Sequence, residues 1–276
     1  MRRRTGILGC SALISFSLVL APPAVAAGPC SRDAVRVGTT CVDKYEASVW
    51  DIPAAHKGLI RRVQEGKITL ADLLAGGATQ YGAASTSSCT GGEYPSSFPV
   101  DGNWTAPLYA VSIPGVLPST CISWFQAEQA CALSGKSLLT NQQWQRAAAG
   151  TPDPGTDDGS TDCNISTAGS PVNTGSRSAC VSNWGVWDMV GNVWEWVGNW
   201  GDFANNGCTD WTAGGGIAGQ DLSCLGGDGS TPPARLPGAL IRGGDWDEGE
   251  QAGVFAVSGD RPPSNTNQFI GFRCAH

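Results

Sequence analysis

The sequence predicts a single α+β domain with few regular elements and many loops. Two segments carry helix-start signatures, Ser123 with Gln126 and Thr140 with Gln143, each ending at a glycine, Gly135 and Gly150. Elsewhere short apolar stretches alternate with turns, and Gly makes up 38 of 276 residues, about twice ordinary usage. No repeat or linker divides residues 27–276, a length that one domain can hold.

Each segment supports that reading in turn. Met1–Ala26 has an export signal's Arg2-Arg3-Arg4 start, apolar run and Ala24-Val25-Ala26 cleavage site. The run is short for a membrane anchor and meets Pro22-Pro23. Cys30 and Cys41 could close a loop ahead of a strand over Val42–Ala47. Residues 50–119 read as an ordered insertion of long loops with one helix, Thr69–Leu74, capped by Thr69. Trp124–Ser134 and Asn141–Ala149 are the two main helices. The loop 151–162, with Asp153, Asp157, Asp158 and Asp162, lacks the spacing of a calcium-binding loop and reads as solvated. Gly214–Gly219 has neither the strand nor the helix that a dinucleotide site requires. The last segment sets Gly turns between anchors, at Arg242–Trp246, Gly253–Val257 and Ile270–Cys274.

Composition removes several functions. His56 and His276 are the only histidines, too few for a multi-histidine metal centre. Removing the export signal takes away three arginines and no acids, leaving 14 basic against 24 acidic residues and a net charge of −10. That balance argues against nucleic-acid binding. Ten cysteines remain, an even number that in an exported chain implies disulfides. Cys163 with Cys180 and Cys208 with Cys224 are near neighbours in sequence. No later segment is apolar enough to span a membrane, so the expected location is periplasmic, secreted or surface-associated.

One charge stands out. In Val193–Val197, alternation puts Glu195 on one apolar face and Trp194 and Trp196 on the other. A buried carboxylate needs a cation or dense hydrogen bonding. Asp188 and the Gly191 turn could join it around calcium, or Glu195 could pair with Arg242 or Arg273. Chemistry alone leaves both open.

The motifs Asp43-Lys44-Tyr45-Glu46, Gly135–Trp144, Gly191–Trp196, Arg242-Gly243-Gly244 and Gly271–Cys274 together resemble the formylglycine-generating, or sulfatase-modifying factor, family. The resemblance implies that family's variant of the C-type lectin fold, with structural calcium. Carried over position by position, it places calcium on Asp188, Gly191, Val193 and Glu195, and a second ion on Asn164, Ile165, Asn173 and Gly175. It also implies a disulfide between Cys131 and Cys274. Catalytic members use two cysteines beyond the Gly-Gly. The corresponding positions fall near Glu248 and Gly253, so copper oxidase chemistry is not expected. The related iron sulfoxide synthases need histidines that this chain lacks.

Residues 242–273 are similar to the variable region of proteins diversified by retroelements. That resemblance implies fixed anchors, Trp246, Phe255, Phe272 and the glycines. Between them lie the recognition residues Asp245, Asp247, Glu248, Glu250, Gln251, Ser258, Asp260, Arg261, Gln268 and Phe269, with Trp246 at the same surface. The expected partner is a protein or surface ligand offering basic or amide groups; a fixed binding module is the alternative.

Overall fold

The computed structural model describes residues 29–204, 208–210, 220–225 and 237–276. The expected export segment Met1–Ala26 and the string Gly214–Gly219 lie outside the described residues.

Two short strands open the described fold, β1 (Ala34–Val37) and β2 (Thr40–Asp43). The expected strand over Val42–Ala47 is therefore displaced. It stops at Asp43, whose buried carboxylate meets Lys136 Nζ, and the chain bends so that Glu46 turns into the core.

The insertion is more regular than the sequence suggests. It holds β3 (Ser48–Asp51), α1 (Lys57–Gln64), α2 (Leu70–Ala75), β4 (Thr79–Tyr81) and β5 (Tyr109–Val111). The strands form a sheet in the order β4-β3-β5, closed over its own core of Trp50, Ile52, Val63, Leu73 and Val111. Thr69 caps α2 as its sequence predicts. The sequence hid α1 because His56, its cap position, makes no side-chain cap bond and no acid occupies the first turn.

The two main helices form where the capping boxes place them. They are α3 (Trp124–Leu133) and α4 (Asn141–Ala148), with β6 (Ser137–Leu138) between them. Ser123 and Thr140 each accept from the third helical N–H, and the Gln there bonds back to the cap N–H.

The remaining strands are β7 (Trp194–Asp202), β8 (Thr209–Asp210), β9 (Leu222–Cys224), β10 (Pro237–Gly243), β11 (Gly253–Arg261), β12 (Ile270–Phe272) and β13 (Cys274–Ala275). A six-stranded sheet runs β12-β7-β10-β11-β9-β8, and a four-stranded sheet runs β1-β2-β13-β6. The main core fills the space between α3 and the larger sheet with Ile122, Trp196, Ile241 and Phe272. A second cluster gathers Trp144, Met189 and Val197 beneath α4.

Five disulfides fasten the loops. Cys30–Cys41, Cys131–Cys274, Cys163–Cys180 and Cys208–Cys224 join the pairs that sequence reasoning had placed together. Cys89–Cys121, tying the insertion to the approach of α3, had no sequence signal. Among the described residues no helix is long and apolar enough to cross a membrane.

Candidate functional site

The turn after β10 shapes the site. Gly243 and Gly244 both take left-handed backbone angles, φ +96° and +83°. A side chain at Gly244 would collide with Ala252, so the chain can reverse tightly only with glycine there. Asp245 follows at once and its Oδ1 accepts from the Asp247 N–H at 2.7 Å, which fixes the turn. Trp246 packs on Phe269 with ring centroids 5.3 Å apart, joining this turn to the segment before β12.

These elements surround a cavity of ≈ 330 Å³. Its apolar floor is Trp194 from β7, Ile241 from β10 and Ile270 from β12. Asp245, Asp247 and Glu248 line one side, and Ser258, Asp260 and Arg261 from β11 another. Phe269, Asn267, Leu222 and the Cys208–Cys224 disulfide complete it.

The charges are unevenly matched. Arg261 pairs with Asp260 at 3.1 Å, and Asp260 also accepts from the Ser258 hydroxyl. Glu248 accepts a hydrogen bond from the Trp194 indole at 3.2 Å. Burial pushes the Asp245 carboxyl up to about 8, and Glu248 and Asp247 add repulsion. Burial likewise raises Glu248. A cavity with aromatic walls and under-neutralised carboxylates is suited to a cationic or hydrogen-bond-donating group.

Of the expected recognition residues, Asp245, Asp247, Glu248, Ser258, Asp260, Arg261 and Phe269 converge on this cavity. Trp246 lies behind it, buried against Phe269. Glu250 and Gln251 sit exposed on a 3₁₀ turn, and neither they nor Gln268 line it. Asp245 and Ser258 are almost wholly buried, where exposable side chains were expected. Sequence reasoning missed Trp194, although alternation had already set it on the face opposite Glu195.

The profile of the sulfatase-modifying factor enzyme 1-like domain matches residues 88–276. The chain belongs to this family. Among solved structures, the Major Tropism Determinant U1 variant is 20% identical, with a TM-score of 0.44, over 88% of this chain and 52% of that one. PvdO from Pseudomonas aeruginosa is 21% identical, with a TM-score of 0.36, over 86% of this chain and 79% of that one. Treponema denticola variable protein 1 is 17% identical, with a TM-score of 0.34, over 57% and 70%. This chain thus spans about half the length of the tropism-determinant chain. No curated protein matches it.

The positions to which the family resemblance gives calcium can be tested against this sulfatase-modifying factor-like domain. The turn is as expected: Asp188, Gly191 and Asn192 all have left-handed φ, and a Cβ at Gly191 would strike the Asn164 carbonyl. Both Glu195 oxygens accept hydrogen bonds. Oε1 accepts from Arg273 Nε at 2.8 Å and Nη2 at 2.6 Å, and Oε2 accepts from the Trp144 indole at 2.7 Å. In the second set, Asn164 is buried but Asn173 is exposed, and the Asn173 carbonyl accepts from the Ser176 N–H. The Ile165 carbonyl accepts from the Gly249 N–H. Calcium needs six to eight oxygens free to face it. In both sets some oxygens already accept hydrogen bonds, which an ion would have to share.

Glu195 pairs with Arg273, which also donates to the carbonyls of Asp43, Lys44 and Trp187. Arg242, the other candidate partner, donates to Asn141 and Gln145 and lies over the Trp144 ring, 4.4 Å from its centroid. The loop 151–162 is less solvated than expected. The Asp157 side chain is buried and pairs with Arg177 at 3.4 Å. Burial raises that carboxyl, but the N–H groups of Gly159, Thr167 and Ser166 outweigh it and hold it at about 2.

Proposed function

We propose that this chain is an exported, non-catalytic binding protein whose recognition surface is the cavity between β7, β10, β11 and β12. The observation that carries this is the convergence of Asp245, Asp247, Glu248, Ser258, Asp260, Arg261 and Phe269 on one cavity floored by Trp194. Trp246 and Phe272 hold the backbone behind them, both buried. The ligand is a protein or surface molecule that offers a basic or amide group, drawn by carboxylates in excess over Arg261. Export is supported by five disulfides, which persist in oxidising compartments.

Against oxidase chemistry stands the cysteine inventory. Ten cysteines are disulfide-bonded, and Cys10, the eleventh, precedes the described residues. Copper binding, or oxidation of a cysteine-containing sulfatase-type peptide, would overturn the non-catalytic reading.

The spacing of anchors and polar positions over residues 242–273 supports diversification of this surface by a retroelement. The test is the gene's neighbourhood. A reverse transcriptase and a near-copy of these codons, differing at adenines, are expected; absence of both would sink diversification. The burial of Asp245 and Ser258 favours a second reading, a fixed binding module, because buried positions tolerate little variation.

A further inference from the structure

Charge is unevenly spread along the sequence. Residues 27–67 carry seven basic against five acidic side chains, while residues 68–276 carry seven against nineteen. Three of the first seven, Arg32, Lys44 and Lys67, meet at a cavity of ≈ 220 Å³ where the turn between α1 and α2 lies against the outer ends of β1 and β2. We propose that this cavity binds a ring that carries a phosphate or sulfate ester. It shares no lining residue with the acidic cavity, so the two sites take ligands of opposite charge.

A close backbone contact holds the cavity together. Gly66 takes φ +59°, and a Cβ there would strike the Asp33 carboxylate, so the turn reaches the start of β1 only with glycine. That approach brings Lys67 to the same cavity as Arg32 and Lys44. Their charges are incompletely met. Lys44 Nζ donates to the Arg32 carbonyl, a neutral partner, at 2.7 Å. Lys67 pairs with Glu65 at 3.0 Å, but Glu65 also holds Arg61 at 2.8 Å. Asp33 is the one acid lining the cavity among the described residues, and it pairs with Lys136 and accepts from the Ser31 hydroxyl. Three cations from separate segments suit a tetrahedral head, with oxygens in several directions, better than a flat carboxylate. Ile68 and Ile113, both buried, and the half-buried Tyr45, stacked on Trp187, add apolar wall for a ring to lie against.

The test uses the full disulfide-bonded chain and follows the Gly66 and Lys67 amide resonances by NMR. Phenyl phosphate and phenyl sulfate should each shift them saturably at millimolar concentration, and the tighter ester identifies the head group. Inorganic phosphate should bind about tenfold more weakly, and phenol should leave the resonances in place. Arg32→Gln combined with Lys67→Gln, both exposed, should fold like the parent and bind the tighter ester roughly tenfold more weakly. Lys67→Gln alone should cost about threefold. Lys57→Gln removes an exposed charge of α1 outside the cavity and should change binding by less than about twofold. Esters no tighter than inorganic phosphate, or a loss in Lys57→Gln as large as in Lys67→Gln, would overturn the proposal. So would a matching loss in Arg261→Gln, which would seat the ester in the acidic cavity instead.

Discussion

Two acidic regions of this molecule use the same side chains to opposite ends. Around Arg273, the carboxylate of Glu195 is closed on all sides by guanidinium and indole donors. In the cavity, Asp245, Asp247 and Glu248 share a wall where, among the described residues, Arg261 is the one lining cation, and Asp260 already holds it. The first arrangement fixes the fold; the second leaves carboxyl groups facing the cavity, Asp245 among them protonated up to about pH 8. The difference lies in where cations were placed, not in the number of acids.

Breaking the closed region should have the largest effect. Arg273→Ala leaves Glu195 buried and unpaired and should cost about 3–5 kcal/mol in chemical denaturation. Trp144→Phe removes one donor to Glu195 and should cost about 1–3 kcal/mol, with Arg273 still in place.

The open region should behave in reverse. Asp245 is raised to about 8, so between about pH 4 and 8 the folded chain holds a proton that the unfolded chain has lost. That group's share of stability therefore falls as pH rises through this window. Asp245→Asn should flatten the slope and raise stability at pH 8 by roughly 1–3 kcal/mol, read from denaturation midpoints across pH. An unchanged slope would show that the carboxyl is not strained by burial. The smallest effect belongs to Glu250→Gln, outside the cavity and exposed, expected within about 0.5 kcal/mol of the parent and without influence on binding.

The helices were legible because their signal is local: Ser123 with Gln126 and Thr140 with Gln143 bond within one turn. The cavity's acidic wall was legible because glycine turns and polar residues alternate over Gly243–Gly253. What escaped depends on distant partners. The role of Arg177 needs Asp157, and the sheet of the insertion needs β3 between strands that follow it in sequence. Lys136, buried against Asp33 and Asp43, drew no attention because a lysine beside a loop usually faces water.

The most direct measurement follows the Trp194 indole N–H, bonded to Glu248 at the cavity floor, by NMR as arginine methyl ester is added. The account predicts a saturable shift with millimolar affinity, about −4 kcal/mol. It should weaken in high salt and strengthen as pH rises through about 8, where Asp245 ionises, a pH dependence that Asp245→Asn should remove. A resonance that does not move, or one that moves independently of salt, would contradict it.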